Sequence, residues 1–285
     1  MRVGLHVSIA GSIDKSVDRA LKIGCNTFQL FTRSPRGWSF SAISNETAGS
    51  FIEKLKSSGI TPVVDHMPYL PNLATSNEAS YKKSLDTLKA ELSRCKQLGI
   101  PYLVTHLGSH LGEGEAQGCA RLASALSEAA TLASPSCMIL LENTAGQKNS
   151  MGTAFEDISA IMDGAGHPGV IGFCLDTCHA FAGGYNLRDK AGEVLDEIES
   201  QIGLNRLKVV HLNDSKGDLG SHLDRHEHIG LGMIGENGFR SILSEKRIRS
   251  LPLIMETPVD ARRDDRGNIL KVYELAGETP TNIHP

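Results

Sequence analysis

Eight short runs of apolar or β-branched residues recur along the chain and alternate with longer amphipathic stretches. Strands and helices that alternate through short links predict a parallel sheet with right-handed crossovers. Eight such units fit the roughly 250 residues of a TIM (β/α)8 barrel. A doubly wound open sheet is the alternative, but no G-x-G-x-x-G follows the first run. The runs occupy 3–8, 27–31, 61–66, 102–106, 138–143, 171–176, 207–212 and 251–256.

The clearest helix candidate covers residues 77–98, between the third and fourth runs. Thr75 and Glu78 have the spacing of a capping box, so we expect Thr75 to cap the start of this helix. Gly99 ends the pattern. Apolar residues at steps of three and four indicate one buried face. They are Leu85, Leu88, Leu92, Cys95 and Leu98.

The composition is that of an ordinary globular protein. Of 285 residues, 40% are hydrophobic and 22% are charged, and we expect a single TIM-barrel domain over 1–285. No apolar run approaches the roughly 20 residues that span a bilayer. The N-terminus also lacks the apolar segment of a signal peptide. These features predict a cytoplasmic protein with no membrane partner. The net charge of −4 argues, taken alone, against a polyanionic partner.

The six cysteines form no C-x-x-C pair, which favours reduced and mostly buried thiols. Cys174 and Cys178 flank Leu175-Asp176-Thr177 and could serve a metal. Small apolar side chains near the end of a strand are the favoured interpretation of both.

Six of the eight runs, the third to the eighth, end in a residue of the kind that binds metals. In a barrel the carboxyl ends of all strands converge on one rim, where the active sites of this fold lie. Imidazole and carboxylate together suit zinc, manganese or iron. One such histidine is more often structural, but six ends are hard to explain in that way. They are His66, His106, Glu142, Asp176, His211 and Glu256.

Two short spacings add further candidate ligands. His179 lies three residues beyond Asp176. Asp224 and His226 are two residues apart, so in an extended segment both side chains point the same way. The second pair belongs to the stretch 211–235, which holds four histidines and is rich in glycine, as a loop that turns back over the rim requires.

Four long motifs resemble the endonuclease IV family, whose members repair abasic sites in DNA. The resemblance runs from the HVS at 6–8 to the MET at 255–257. One departure is Met67-Pro68 after His66, where familiar bacterial members have Asp-Ser. The motifs are ENTAGQ at 142–147, LDTCHAFAGGYNLR at 175–188, HLND at 211–214 and DRHEHIGLGMIG at 224–235.

The resemblance implies a TIM barrel that binds three Zn²⁺ at its rim, with Mn²⁺ or Fe²⁺ as alternatives at one or more positions. Glu142 would bridge the first two metals and act as the general base. Cleavage 5′ to the abasic site would leave a 3′-hydroxyl and a 5′-deoxyribose phosphate. The implied ligand sets are His66, His106 and Glu142; Glu142, Asp176, His211 and Glu256; and His179, Asp224 and His226.

The same resemblance implies that double-stranded DNA containing abasic sites is the partner of a monomeric enzyme associated with the nucleoid. Arg36, Tyr69 and Leu70 would enter the DNA from the minor-groove side, and Arg225 could contact a phosphate. Three divalent ions would change the net charge from −4 to +2, since −4 + 6 = +2 when ligand histidines are neutral.

Two other functions fit parts of the pattern. A sugar isomerase or epimerase of the xylose isomerase-like group also places histidines and carboxylates at strand ends, but needs only one or two metals. A non-catalytic metal- or sugar-binding protein would not need nine ligands. The third ligand set therefore favours the endonuclease. The sequence assigns no role to His6, His110, His222 or His228.

Overall fold

Eight parallel strands form one sheet in the computed structural model, which describes residues 1–280. Its order is β1-β10-β7-β6-β5-β4-β3-β2, so each strand lies beside its neighbour in the sequence of βα units. The expected TIM barrel is confirmed. The strands are β1 (Arg2–Leu5), β2 (Phe28–Leu30), β3 (Val63–His66), β4 (Tyr102–His106), β5 (Met138–Glu142), β6 (Ile171–Asp176), β7 (Leu207–His211) and β10 (Pro252–Met255).

The two ends of the sheet meet between β1 and β2. A single parallel bridge joins His6 to Gln29, and the Val7 amide donates to the Gln29 carbonyl at 2.7 Å. The first two strands are shorter than the runs 3–8 and 27–31 suggested, because the ladder here consists of this one bridge. His6 therefore lies at the rim, one residue beyond the end of β1.

Helices surround the sheet and cover its outer face. The main apolar core lies between the two layers, and a smaller core of inward-facing side chains fills the barrel. The helices are α1 (Lys15–Ile23), α2 (Asn45–Ser58), α3 (Glu78–Leu98), α4 (Glu115–Ala130), α5 (Phe155–Ala165), α6 (Thr177–Gly183), α7 (Ala191–Gln201), α8 (Gly235–Ser244), α9 (Lys246–Arg249) and α10 (Asp265–Ala276).

The expected capping box of α3 is wrong. Asn77 caps the helix, and its side chain accepts from the Ser80 amide at 2.9 Å. Thr75 instead accepts from the Asn77 amide at 3.2 Å, which fixes the turn before the cap. The buried face of α3 is as expected, and Gly99 ends the helix in the left-handed conformation.

A second, two-stranded sheet lies in the loop after β7. It pairs β8 (Asp214–Ser215) with β9 (His226–Glu227), which folds the intervening residues back over the rim. Among residues 1–280, no helix is long and apolar enough to cross a membrane. The expected domain over 1–285 includes 281–285, which lie outside the described residues.

Candidate metal centre

The strand periodicity explains why six side chains converge at the rim. Each of the six expected ligands at strand ends lies two residues beyond a side chain that fills the inside of the barrel. Since strand side chains alternate between faces, each ligand also points inward, one layer higher. The pairs are Val64 and His66, Val104 and His106, Leu140 and Glu142, Cys174 and Asp176, Val209 and His211, and Ile254 and Glu256.

Glu142 lies at the centre of the site and is fully buried. One carboxylate oxygen, Oε2, is 3.2 Å from His66 Nε2 and 3.1 Å from His106 Nε2. The other, Oε1, is 3.1 Å from His211 Nδ1 and 3.3 Å from His179 Nδ1. Each oxygen therefore faces a different pair of imidazoles, as a carboxylate that bridges two cations would.

The donor atoms form three groups, and within each group all the atoms lie within 4.8 Å of one another. The first two have the membership that the sequence motifs imply. The third combines His179 and His226 with Asp176, where the motifs imply Asp224. Asp224 nevertheless lies beside this group, 3.1 Å from His179 Nε2 and 3.7 Å from His226 Nε2. The groups are His66, His106 and Glu142; Glu142, Asp176, His211 and Glu256; and Asp176, His179 and His226.

A buried nitrogen without a partner indicates that the third group suits a cation. His226 Nε2 is buried and accepts or donates no hydrogen bond among residues 1–280. An orphaned buried nitrogen costs free energy unless something binds it. Imidazole nitrogens and carboxylate oxygens around it are the donor set of zinc. The residues present therefore fit a divalent metal.

The pKa shifts of the site also fit the binding of a divalent cation. Burial alone would raise the pKa of the Glu142 carboxyl, but His106 and His211 hold that pKa well below its ordinary value. Burial alone would lower the pKa of His179, but the Asp176 and Asp224 carboxylates raise it well above its ordinary value. Protons and divalent cations thus compete for the imidazoles, because a ligand imidazole must be neutral.

Gln29 orients one of these imidazoles from inside the barrel. Its Nε2 donates to Glu256 Oε1 at 2.8 Å and to His6 Nδ1 at 3.0 Å. An ionised carboxylate can only accept, so this contact fixes which end of the amide is which. Gln29 Oε1 then accepts from His211 Nε2 at 2.8 Å, which leaves His211 Nδ1 to face Glu142.

Two asparagines hold the residues that carry the ligand carboxylates. Asn213 donates to Asp176 Oδ2 at 2.7 Å and accepts from the Glu256 amide at 2.7 Å. Asn143 accepts from the Asp176 amide at 2.7 Å and donates to its carbonyl at 3.0 Å. Sequence reasoning missed both asparagines and Gln29. The available signals were the neighbouring ligand in ENTAGQ and HLND, and the glutamine in the middle of the apolar run TFQLF.

Asp214 anchors the loop that carries Asp224 and His226. Its buried carboxylate accepts from the backbone amides of Ser215, Gly230, Gly232, Ile234 and Gly235 at 2.8–3.4 Å. The close approach explains the glycine at 232, where a Cβ would lie 2.4 Å from the Ser215 carbonyl oxygen and 2.5 Å from Asp214 Oδ1. The sequence did not indicate this anchoring role.

The four expected DNA contacts lie on loops at the same rim, outside the three donor groups. Tyr69 and Leu70 follow β3 and are 62% and 43% exposed. Tyr69 also lines a cavity of about 380 Å³, together with donor residues such as His66, His106 and Glu256. Arg36 follows β2, and Arg225 lies between Asp224 and His226; both are exposed.

The histidines without an expected role bind elsewhere. His228 is bonded to Asp260 and Asn268, at 3.1 and 3.0 Å. His110 Nδ1 accepts from the Gly112 and Gly114 amides at 3.2 and 3.1 Å. His222 Nδ1 contacts the Ala145 carbonyl at 3.0 Å. Each fixes a loop of the rim.

His6, Cys174 of β6 and Cys178 of α6 also lie outside the donor groups. Burial lowers the pKa of His6, which therefore favours the neutral imidazole. Cys174 and Cys178 are buried, and burial raises the pKa of their thiols to about 11 and about 12. Their protonated thiols agree with the favoured interpretation of small apolar residues.

Known proteins match this chain over nearly its whole length. A model of the xylose isomerase-like TIM barrel family matches residues 17–274. A probable endonuclease 4 of Methanoculleus marisnigri is 59% identical over 278 residues, covering 96% of this chain and 99% of that protein. The endonuclease IV structure from Thermus thermophilus has a TM-score of 0.87 and 33% identity, covering 98% of this chain and all of that one.

Sugar epimerases share the architecture alone. The structure of a D-tagatose 3-epimerase-like protein has a TM-score of 0.73 but only 19% identity, over 97% of this chain and 98% of that one. Identity this low is evidence for the fold and not for a shared reaction. The chain belongs to the endonuclease IV family.

Proposed function

We propose that this DNA repair endonuclease cleaves the phosphodiester bond 5′ to abasic sites through a centre of three Zn²⁺ ions. Its products would be a 3′-hydroxyl and a 5′-deoxyribose phosphate. The observation that carries the proposal is the convergence of three donor groups on one rim, with the buried Glu142 shared between two of them. A single-metal sugar enzyme has no need of the third group.

The ligand sets that we propose are those implied by the family motifs. His66, His106 and Glu142 hold the first ion, and Glu142, Asp176, His211 and Glu256 hold the second. His179, Asp224 and His226 hold the third. Bound divalent ions lower the pKa of water toward about 7, neutralise phosphate oxygens and stabilise the leaving alkoxide.

Glu142 is the proposed general base. Its two oxygens contact imidazoles on opposite sides, which fixes the plane of the carboxylate. A glutamate carboxylate is ionised at neutral pH and can accept a proton from the attacking water, whose own pKa a bound metal would lower. Its burial excludes the competing solvent that would weaken this interaction.

DNA recognition is assigned to Arg36, Tyr69, Leu70 and Arg225. An abasic nucleotide lacks a base, so extruding it costs less than extruding an intact nucleotide. Exposed Tyr69 and Leu70 beside the donor cavity suit a wedge that fills the gap. Arg36 enters with them, and Arg225 meets a phosphate.

We propose further that the enzyme acts as a monomer on double-stranded DNA in the cytoplasm, in association with the nucleoid. One lesion requires one active site. Metal binding supports the encounter, because three divalent ions change the formal net charge from −4 to +2.

The test is incubation with a duplex that carries one synthetic abasic site, beside an intact duplex of the same sequence. We expect one cut 5′ to the lesion, loss of cutting with a chelator, and recovery with added zinc. An assay for epimerisation of a ketohexose runs in parallel. Cutting that ignores the lesion, or epimerisation in its place, would contradict the proposal.

A further inference from the structure

Two charged residues of α3 are buried beneath the loop that carries Arg36. Glu91 is fully buried and Arg94 is 8% exposed. Neither belongs to a donor group, and both face the β2–α2 loop, residues 31–44. Lys, Arg and Glu side chains are seldom buried unless they are paired, so the burial of these two residues must be explained by the groups that they contact.

Arg94 connects the two ends of this loop. Its Nε donates to Thr32 Oγ1 at 2.8 Å, and its Nη2 donates to the Thr32 carbonyl. Its Nη1 donates to the Ser41 carbonyl at 3.0 Å. A single planar guanidinium thus bonds residues nine positions apart, a geometry that a lysine ammonium does not reproduce.

Glu91 holds the first half of the loop. Its Oε1 is 2.7 Å from Arg33 Nε, and its Oε2 accepts from the Thr32 hydroxyl. Arg33 in turn donates from Nη1 to the Trp38 carbonyl at 3.3 Å. The contact network therefore runs from α3 through Arg33 to the far side of the loop.

An aromatic ring completes the arrangement. The Phe40 ring centroid lies 4.3 Å from Arg33 Cζ and 5.3 Å from Arg94 Cζ, so it contacts both guanidinium groups. Gln97, one turn further along α3, donates to the Ile43 carbonyl at 2.9 Å. The loop is held at its start, its middle and its end.

Within the described loop, the apex at residues 34–37 takes no part in these contacts. Arg36 lies there, exposed, and its side chain makes no hydrogen bond or ion pair among residues 1–280. We propose that Glu91 and Arg94 are positioning residues for DNA recognition, which hold the loop in its DNA-binding conformation so that Arg36 meets the lesion without an ordering cost. This inference rests on the proposed role of Arg36.

The test is a double-mutant cycle between Arg94→Lys and Arg36→Ala, with Kd for an abasic duplex as the readout. Arg36→Ala alone should weaken binding about tenfold. Arg94→Lys should weaken it about fivefold, with kcat at saturating DNA and metal content unchanged. In the Arg36→Ala background, Arg94→Lys should have little further effect, because the loop then has no arginine to position.

The matched control is Arg121→Lys. Arg121 also reaches α3, through Glu78 at 2.8 Å and the Tyr81 ring, but it contacts no residue of the loop. We expect wild-type binding from this variant. Full additivity of the two changes, or wild-type affinity of Arg94→Lys, would overturn the positioning role. A null result for Arg36→Ala alone would instead overturn the DNA contact.

Limited digestion with trypsin measures how firmly the loop is held when no DNA is bound. The Arg36–Gly37 bond should be cut slowly in the wild-type protein and faster in Arg94→Lys, with the fragments identified by mass spectrometry. If Arg94→Lys does not fold, Phe40→Leu removes the shared ring at a site that is 46% exposed. It should also accelerate this cut and weaken binding. An unchanged rate and affinity would overturn the proposal.

Discussion

At the scale of single residues, the proposed chemistry depends most on Glu142. Its carboxylate is buried, is ionised because imidazoles surround it, and presents one oxygen to each of two donor groups. An amide of the same shape keeps the packing but has neither the negative charge nor the second acceptor oxygen. Replacing Glu142 with glutamine therefore tests the effect of the charge separately from the effect of the shape.

We expect Glu142→Gln to fold and to bind abasic DNA but to lose most cleavage. Removing a charge that bridges cations should cost several kcal/mol of transition-state stabilisation, on the order of a thousandfold in rate or more. Single-turnover cleavage and a binding titration measure the two effects separately. The role given to Glu142 is wrong if the variant cuts at nearly the wild-type rate.

The histidine pKa values predict that metal binding releases protons. The Asp176 and Asp224 carboxylates raise the pKa of His179 well above its ordinary value, so protons compete with metal for this imidazole. A histidine binds metal as the neutral imidazole, and zinc affinity should therefore fall as the pH is lowered from about 8 to about 6. Titration calorimetry in buffers of different ionisation enthalpy measures the protons released. A heat that is independent of the buffer would contradict this account.

At the scale of elements, the strand ends were predictable and the loops were not. Period two places His66 and its five counterparts inward, one layer above the barrel core, and this follows from sequence alone. The cap of α3 was misassigned to Thr75 because Asn77, two residues later, competes for the same helix start. The hydrogen bonds of the Gln29 side chain to Glu256 and His211, and of the Asp214 carboxylate to the amides at 230–235, connect separate parts of the chain. No local sequence pattern encodes such contacts.

Asp214 offers a test of loop anchoring. We expect Asp214→Ala to leave the buried amides around it without an acceptor and to release the loop that carries Asp224 and His226. Metal analysis should then find close to two ions per chain, where we expect three in the unchanged protein. Asp218→Ala, which removes an exposed carboxylate of the same loop, is the control and should retain three. Three ions in both variants would show that the loop needs no anchor.

The wedge is tested by Tyr69→Ala combined with Leu70→Ala. Stacking contacts contribute roughly 1 to 3 kcal/mol for each side chain, so affinity for an abasic duplex should fall about tenfold or more. Affinity for intact duplex rests on phosphate contacts and should change less. Leu132→Ala removes an exposed leucine before β5, at the opposite end of the barrel, and should change neither. Equal losses on both duplexes would remove the claim of lesion recognition.

At the scale of the whole molecule, the eight-unit rhythm and the polar strand ends predicted both the barrel and the rim on which its site lies. The extent of the family match is visible in motifs such as HLND and DRHEHIGLGMIG. The sequence did not reveal the residues that surround and orient the metal donors. Asn143, Asn213 and Gln29 look like ordinary polar residues until the fold brings them against the donors.

In the proposed enzyme, three bound ions together form the catalytic centre for abasic-site cleavage. The most direct measurement adds zinc stepwise to metal-free protein and follows bound metal and the cutting of an abasic duplex in the same samples. We predict that cutting reaches its full rate only as the third equivalent binds, with a single cut 5′ to the lesion that leaves a 3′-hydroxyl. Full activity at one equivalent, or unchanged cutting in the presence of a chelator, would contradict the account.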